Sequence, residues 1–398
     1  MIIEFRMIKK EDVTGENMSK IILVETDNIE RYPPEISVLN ALVNISTYEV
    51  VVCSMCPSDY IIRFCEEKSI KLINAGGIVL RGKPYHGLQL VKKFCDYSNN
   101  RKKIWRAIEF IYTDGDILWL NTFDTLKLLG EKLLSYKYIV HLFELIHETR
   151  YFYKFPYPKY DFVKYLRSAY KVIECEYNRA CITQAWFSLA HKPVVIPNKL
   201  YLGKTVNNTF TVDAGISEQM EALKEKKIIL YQGILGPERP IGIFADAVSE
   251  LGDDFVMLVM SGSKMDRKYD NLYEIGFINP PNHLYVTQRA YIGILNYQAS
   301  ASGFSGNDCL NSIYCAPNKI YEYSRFGLPM IGNDIPGLKY TVEQSGSGIC
   351  VEKMTKKKIK DAIIKIDAEY DSYKKHSFEF YNSVDIKGII ENEILNEV

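Results

Sequence analysis

The strongest constraint on the fold of this chain is a series of short apolar segments that alternate with helical stretches. In the first half, these segments lie at residues 19–25, 49–54, 70–74, 116–121, 138–143, 171–175 and 193–197. In the second half, they lie at residues 227–233, 255–262, 272–276, 290–297, 328–333 and 348–351. Short apolar strands separated by helices are typical of parallel sheets covered on both faces. We therefore predict an α/β protein built from two Rossmann-like domains.

The alternation pauses once, in the polar stretch 201–226, which we interpret as the boundary between the domains. The predicted parts are a leader that is a candidate for disorder, a first domain, a linker, a second domain, and C-terminal helices that pack back on the first domain. Their limits are 1–18, 19–205, 206–226, 227–370 and 371–398. Two such domains should face each other across a cleft, because ligands of parallel sheets lie beyond the carboxyl ends of the strands.

Composition excludes several classes of function. The chain has 49 basic and 49 acidic residues, so it lacks the basic excess of a dedicated nucleic-acid binder. No apolar run reaches the ~20 residues of a membrane-spanning helix, and the N-terminal residues do not resemble a secretory signal. The nine cysteines form an odd set in which Cys53-x-x-Cys56 is a single pair, so we expect reduced thiols in the cytoplasm and no zinc site.

The segment CAPNKIYEYSRFGLPMIGNDIPGL, residues 315–338, carries the clearest chemical pattern. Pro317 suits the first turn of a helix, which places Asn318 and Lys319 where backbone N–H groups favour a phosphate. Glu322 follows Lys319 by three positions, so both lie on one helix face. A lysine for phosphate and a glutamate for paired hydroxyls suit a nucleotide diphosphate. A solvent-exposed Lys–Glu pair fits the spacing equally well.

The motif PNKxxEYxxxGLPxI, followed by DxPGL, resembles retaining glycosyltransferases of the GT-B fold, particularly glycosyltransferase family 4. The upstream segment YQGILGPERPIGIFADAV is similar to the strand–glycine–basic–helix element of that family. The resemblance is good over about residues 227–351 and weaker over the first half. It implies that the second domain binds a nucleotide-diphosphate sugar and that the first domain binds a glycan or lipid-linked sugar acceptor.

The resemblance also implies roles for individual residues. Glu322 matches the glutamate that binds the donor ribose, and Arg239 and Lys319 would hold the diphosphate and stabilise it as the leaving group. The remaining donor contacts are expected from Gly233, Gly276, Phe277, Ile278, Asn318 and the loop at 300–311. No metal and no cofactor other than the donor is implied.

Two positions depart from the family pattern. Ile234 stands where a further basic residue is usual, and Tyr314 stands where many members have a second glutamate. These departures keep open the alternative of an inactive partner subunit. A second alternative is a nucleotide-sugar 2-epimerase, which shares the fold, although no residue favours it.

Candidate residues on the acceptor side follow the strands of the first domain. His141, Glu144 and His147 lie on YIVHLFELIHE, and His141 and Glu144 are candidates for contact with the reacting groups. The loop Tyr32–Glu35 is expected to contact the acceptor, and Glu174 is a weaker candidate. A histidine beside a core strand is more often a structural residue.

Two further motifs have a structural and a functional interpretation. Asp114-Gly115-Asp116 matches the DxD motif of metal-dependent transferases, but it precedes a strand and is better interpreted as a turn. The segments 92–93 and 101–106 combine lysines and arginines with Trp105, which suits peripheral contact with an anionic membrane. The favoured interpretation of these segments is a solvated helix face.

Overall fold

The protein divides into two compact units, each with its own parallel sheet. The structure, a computed structural model, describes residues 2–4, 18–29, 32–45, 47–79, 88–145, 160–201, 210–266, 269–298 and 306–396. The first unit comprises Met1–Pro197 and Ile386–Val398, and the second comprises Asn198–Asp385.

The first unit contains an eight-stranded sheet. Its strands are β1 (Ile2–Glu4), β2 (Lys20–Glu25), β3 (Glu49–Ser54), β4 (Lys71–Asn74), β5 (Ile117–Asn121), β6 (Tyr138–His141), β7 (Lys171–Glu174) and β8 (Val194–Val195). All the strand pairs are parallel, and the order is β1-β4-β3-β2-β5-β6-β7-β8. The order reverses between β2 and β5, which is the switch point where doubly wound sheets bind ligands.

Helices cover this sheet, and their ends and orientations follow from local capping and from packing against the strands. They are α1 (Pro33–Val43), α2 (Asp59–Glu67), α3 (Leu88–Ile111), α4 (Thr122–Leu129), α5 (Phe162–Ser168) and α6 (Tyr177–Phe187). Ser58 caps α2 by accepting a hydrogen bond from the Ile61 amide at 3.4 Å. Ile104 and Ile108 of α3 are buried against the sheet.

The second unit contains a six-stranded parallel sheet. Its strands are β9 (Lys227–Gln232), β10 (Phe255–Met260), β11 (Leu272–Ile275), β12 (Ile292–Leu295), β13 (Met330–Asn333) and β14 (Gly348–Val351). The order is β11-β10-β9-β12-β13-β14, with the switch point between β9 and β12. Its helices are α7 (Ala214–Ala222), α8 (Gly242–Val248), α9 (Leu284–Thr287), α10 (Gly306–Ile313), α11 (Asn318–Ser324), α12 (Pro336–Leu338), α13 (Lys356–Ala368) and α14 (Tyr370–Ser383). The chain then contributes α15 (Ile386–Ile389) to the first unit.

Every apolar segment that predicted a strand forms one, and the α/β class is confirmed. The unit limits differ from the predicted parts. Residues 2–4 of the predicted leader form β1, which pairs with β4. Helix α7 lies in the predicted linker, but Met220 and Leu223 are buried in the core of the second sheet, so this stretch belongs to the second unit. Of the C-terminal helices, only Ile386–Val398 belongs to the first unit.

The Asp114-Gly115-Asp116 motif forms a turn before β5, as predicted. Asp116 is buried and accepts hydrogen bonds from the backbone N–H of Lys20 at 2.7 Å and from the Lys20 ammonium at 2.9 Å. It also accepts hydrogen bonds from the backbone and hydroxyl of Thr113. This carboxylate therefore ties two strands of the sheet together.

Candidate functional site

The candidate site lies at the switch point of the second sheet, where β9 and β12 end. Gly233 directly follows β9 and has a φ of +127°, a backbone region that only glycine adopts readily. A Cβ atom at this position would lie 3.5 Å from the Lys319 ammonium nitrogen. The glycine therefore leaves open space beside a buried cation.

Lys319, in the first turn of α11, is only 8% exposed. Its ammonium group has no hydrogen-bond partner among the described residues. The nitrogen lies 4.5 Å from the ring centroid of Tyr231 and 5.1 Å from that of Tyr297. Burial, helped by the nearby Arg239, lowers the pKa of Lys319 to about 7, while Glu322 opposes this change. A buried cation without a hydrogen-bonded anion is costly and suits a site that receives an anion.

Arg239 is the second cation at this site. It is half-buried, and its Cζ lies 5.5 Å from the Tyr297 ring centroid. Its Nε is buried and has no hydrogen-bond partner among the described residues. Arg239 lies before helix α8, which begins at Gly242. Pro240 accounts for this position, because the residue before a proline is disfavoured in the helical region.

Glu322 is 6% exposed and is held by two side chains of its own unit. Its Oε1 lies 3.2 Å from Nε2 of His283, and its Oε2 accepts a hydrogen bond from the Gln232 amide. Thr287 in turn donates a hydrogen bond to Oε1 of Gln232 at 2.8 Å. Burial alone would raise the pKa of Glu322, but His283, Lys319 and Gln232 together hold it below its ordinary value. The carboxylate is thus fixed in one orientation.

The lowered pKa of Lys319 predicts a pH-dependent stability. Unfolded Lys319 keeps its proton up to about pH 10.5, whereas the folded group loses it near pH 7. The cost of burying the ammonium is therefore fully present below about pH 7 and shrinks as the pH rises towards 10.5. Urea unfolding of wild type and Lys319→Met should show a gap in free energy of unfolding that narrows from about pH 6 to about pH 9. Parallel pH profiles would contradict the assignment.

The other predicted donor residues lie at the same edge of the sheet. Gly276 and Phe277 follow β11 and are exposed, with Phe277 at 67%. Ile278 is half-buried against the core, and Asn318 is the first residue of α11. Residues 299–305 of the predicted sugar loop lie outside the described residues, and the loop continues into α10. The roles of these residues stay predictions.

The predicted acceptor-side residues lie at the carboxyl edge of the first sheet. His141 ends β6, is fully buried beside Trp119 and Phe143, and has no hydrogen-bond partner on either ring nitrogen among the described residues. Burial lowers the pKa of His141 to about 3, so the ring is neutral. Glu144 is exposed, and His147 lies outside the described residues. His141 thus has no contact with solvent. Its predicted role in contacting the reacting groups stays a prediction.

Sequence reasoning did not identify the residues that hold Glu322. Gln232 carries one weak signal, because it is the last residue of β9 and strand ends meet at the ligand edge. His283 stands in an irregular stretch before α9, and no spacing links it to α11.

The overall fold was compared with known proteins. No protein-family model and no curated protein sequence matches the chain. HepE of Anabaena, solved with UDP and glucose, matches with a TM-score of 0.61 at 13% identity, covering 96% of this chain and 100% of HepE. A glycosyltransferase from Rickettsia africae matches with a TM-score of 0.61 at 15% identity, covering 94% of this chain and 97% of that protein. Sucrose-phosphate synthase from Thermosynechococcus elongatus matches with a TM-score of 0.62 at 16% identity over 94% and 97% of the two chains.

The fold is GT-B. These neighbours are GT-B glycosyltransferases, and they match both units of this chain. At 13–16% identity, the likeness establishes the two-domain architecture and leaves the chemistry to be argued from the side chains.

The described part of the chain also bears on membrane contact and metal binding. No helix in it is both long enough and apolar enough to cross a membrane. No three His, Cys, Asp or Glu side chains in it converge as ligands for a metal ion. Trp105 does not flank the basic segments at the surface, because it is buried and donates a hydrogen bond to the Leu129 carbonyl at 3.0 Å. Among the residues of α3 whose exposure the structure describes, Val91 and Phe94 are large apolar side chains at the surface.

Proposed function

We propose that the protein is a glycosyltransferase that takes a sugar from a nucleotide-diphosphate donor bound by its second unit. The observation that carries the proposal is a pair of cations, the buried Lys319 and the half-buried Arg239, near Gly233. Lys319 Nζ and Arg239 Nε both lack a hydrogen-bond partner among the described residues. A diphosphate is an anion that suits two neighbouring cations.

The two cations can also assist the reaction, because negative charge builds up on the group that they bind. When the bond between the donor sugar and the diphosphate breaks, negative charge grows on the diphosphate. Lys319 is buried and Arg239 is half-buried beside it, so both cations are already in place to stabilise that charge. Glu322, oriented by His283 and Gln232, accepts hydrogen bonds from the ribose hydroxyls. The phosphates need no metal ion in this scheme.

The finer parts of the proposal follow the resemblance to family 4. The acceptor is a glycan or lipid-linked sugar of bacterial surface polysaccharide synthesis, and the anomeric configuration is retained. The reaction takes place in the cytoplasm. Proton NMR of the product linkage tests retention, since an inverted anomeric signal would refute it.

Donor binding gives the direct test. A thermal-shift screen against UDP, GDP, ADP, CMP and dTDP should identify a nucleotide diphosphate that raises the melting temperature. Saturation at about 100 Kd adds ~2.7 kcal/mol to the free energy of unfolding. Arg239→Ala should remove most of that shift, because a charge-assisted contact contributes about 1.5–3 kcal/mol. The matched control is Arg289→Ala, which removes an exposed arginine of the same unit. An unchanged shift in Arg239→Ala, or no shift with any nucleotide diphosphate, would refute the site.

A further inference from the structure

The first unit contains a cavity of its own, separate from the donor-site residues. Its volume is about 320 Å³, within the ~300–1,000 Å³ range of small-molecule sites. It lies where β2 and β5 end, which is the switch point of the first sheet. Its walls include Tyr32 and Tyr97, and α3 and α4 line one side. Its position and size are those of a small-molecule site.

Two buried carboxyl groups line this cavity. Glu25, the last residue of β2, and Glu35, in the first turn of α1, are each 3% exposed. Burial, and then the charge of Glu25, raise the pKa of Glu35 well above its ordinary value. Two neighbouring carboxyls out of water make this part of the cavity wall acidic, and a positive group beside them favours their ionised forms.

Asn121 adds an observation that points to a missing ligand. It ends β5, is 4% exposed and lines the cavity. Its amide nitrogen donates a hydrogen bond to Glu35, while its Oδ1 has no partner among the described residues. A buried amide oxygen without a donor costs free energy, so it favours a ligand that supplies an N–H or O–H group.

The charge of the lining narrows the ligand class. The wall carries four carboxyl groups, from Glu25, Asp27, Glu35 and Asp124, against two lysines, Lys93 and Lys127. This excess of acid disfavours phosphate and carboxylate ligands. An acidic wall and a buried amide oxygen together favour a ligand that carries positive charge and donates hydrogen bonds.

We propose that this cavity binds an amine-bearing sugar, whose ammonium group lies against Glu25 and Glu35 and whose hydroxyl group donates to Asn121. That this sugar is the acceptor rests on the proposed function, whereas the binding itself does not. The acceptor would then be an amino sugar, or a glycan that ends in one.

Wild-type protein is sufficient for the first test. Ligand-observed NMR would compare glucosamine with glucose, N-acetylglucosamine and glucuronate, without any nucleotide present. Glucosamine should bind at least about tenfold more tightly than the other three, because one charge-assisted hydrogen bond contributes about 1.5–3 kcal/mol. Hydrogen exchange should slow on glucosamine binding in residues 24–27 and 121–128 and stay unchanged in the second unit. Equal affinities, no binding, or protection elsewhere would overturn the proposal.

Variants test which carboxyl groups of the cavity produce the preference for glucosamine. Glu25→Gln should reduce the glucosamine preference about tenfold, and Asp27→Asn, at a half-buried position, should reduce it less. Glu67→Gln on α2 is the matched control, because this carboxylate is exposed and does not line the cavity. A preference that survives in a folded Glu25→Gln protein would overturn the proposal. If Glu25→Gln fails to fold, the wild-type exchange pattern and Asp27→Asn still decide.

The glucosamine result and the nucleotide result can fail independently of each other. Loss of the nucleotide shift with glucosamine binding intact would refute the proposed function and keep this site. The reverse result would keep the transferase and require a different acceptor class.

Discussion

Replacing Lys319 with methionine should make the ligand-free protein more stable and at the same time remove its response to a nucleotide diphosphate. Lys319 is 8% exposed and its ammonium has no hydrogen-bonded anion among the described residues, so its burial costs free energy. Methionine is an unbranched side chain of nearly the same length and carries no charge. Exchanging buried ionic groups for apolar ones often stabilises a fold by ~1–4 kcal/mol.

The loss of binding in the same variant should be large. A hydrogen bond to a charged group contributes about 1.5–3 kcal/mol, which corresponds to about 10- to 150-fold in affinity. Thermal denaturation with and without the nucleotide measures both effects in one experiment. Lys357→Met, at an exposed position of α13, is the matched control and should change neither quantity. A Lys319→Met protein that is less stable than wild type yet still shifts with nucleotide would show that Lys319 has a structural role.

Replacing Glu322 with alanine should have the opposite effect on stability. The substitution leaves the His283 ring and the Gln232 amide without their shared acceptor inside the protein. Buried donors that lose a charged acceptor cost about 1–3 kcal/mol each, so we expect a total loss of about 2–6 kcal/mol for the two donors. Nucleotide binding should weaken as well, because the ribose hydroxyls lose their acceptor.

Two companion variants separate these effects. Glu322→Gln keeps the size and one acceptor oxygen, so it should recover most of the stability and less of the binding. Glu218→Ala removes an exposed carboxylate of α7 and should leave both unchanged. If Glu322→Ala unfolds at the wild-type temperature, the hydrogen-bond network described for this residue is wrong.

The parts of the fold that the sequence predicts are those set by local patterns. Buried parallel strands such as β2 and β9 are uninterrupted apolar runs, and their positions follow directly. The boundary between the units cannot be predicted from a local pattern, because Met220 and Leu223 pack on a sheet whose strands come later in the chain. Strand β1 was missed for a related reason: its pairing partner β4 lies about 70 residues away.

The candidate site also contains residues that local spacing predicts and residues that only the fold brings together. Lys319 and Glu322 are three residues apart on one helix, so spacing alone places them together. Gln232 lies 90 positions before Glu322, and only the sheet order brings the two side chains into contact. The cavity at Glu25, Glu35 and Asn121 depends on three separate elements, and no linear motif predicts it.

The return of the chain to its first unit also has a consequence for biosynthesis. Ile386, Ile390 and Ile394 are buried, and α15 packs against α1. The second unit is a continuous stretch that can fold as soon as it leaves the ribosome. The first unit cannot be completed until translation passes residue 394, so a nascent chain halted before Ile386 would display the uncovered apolar side of α1 to chaperones and proteases.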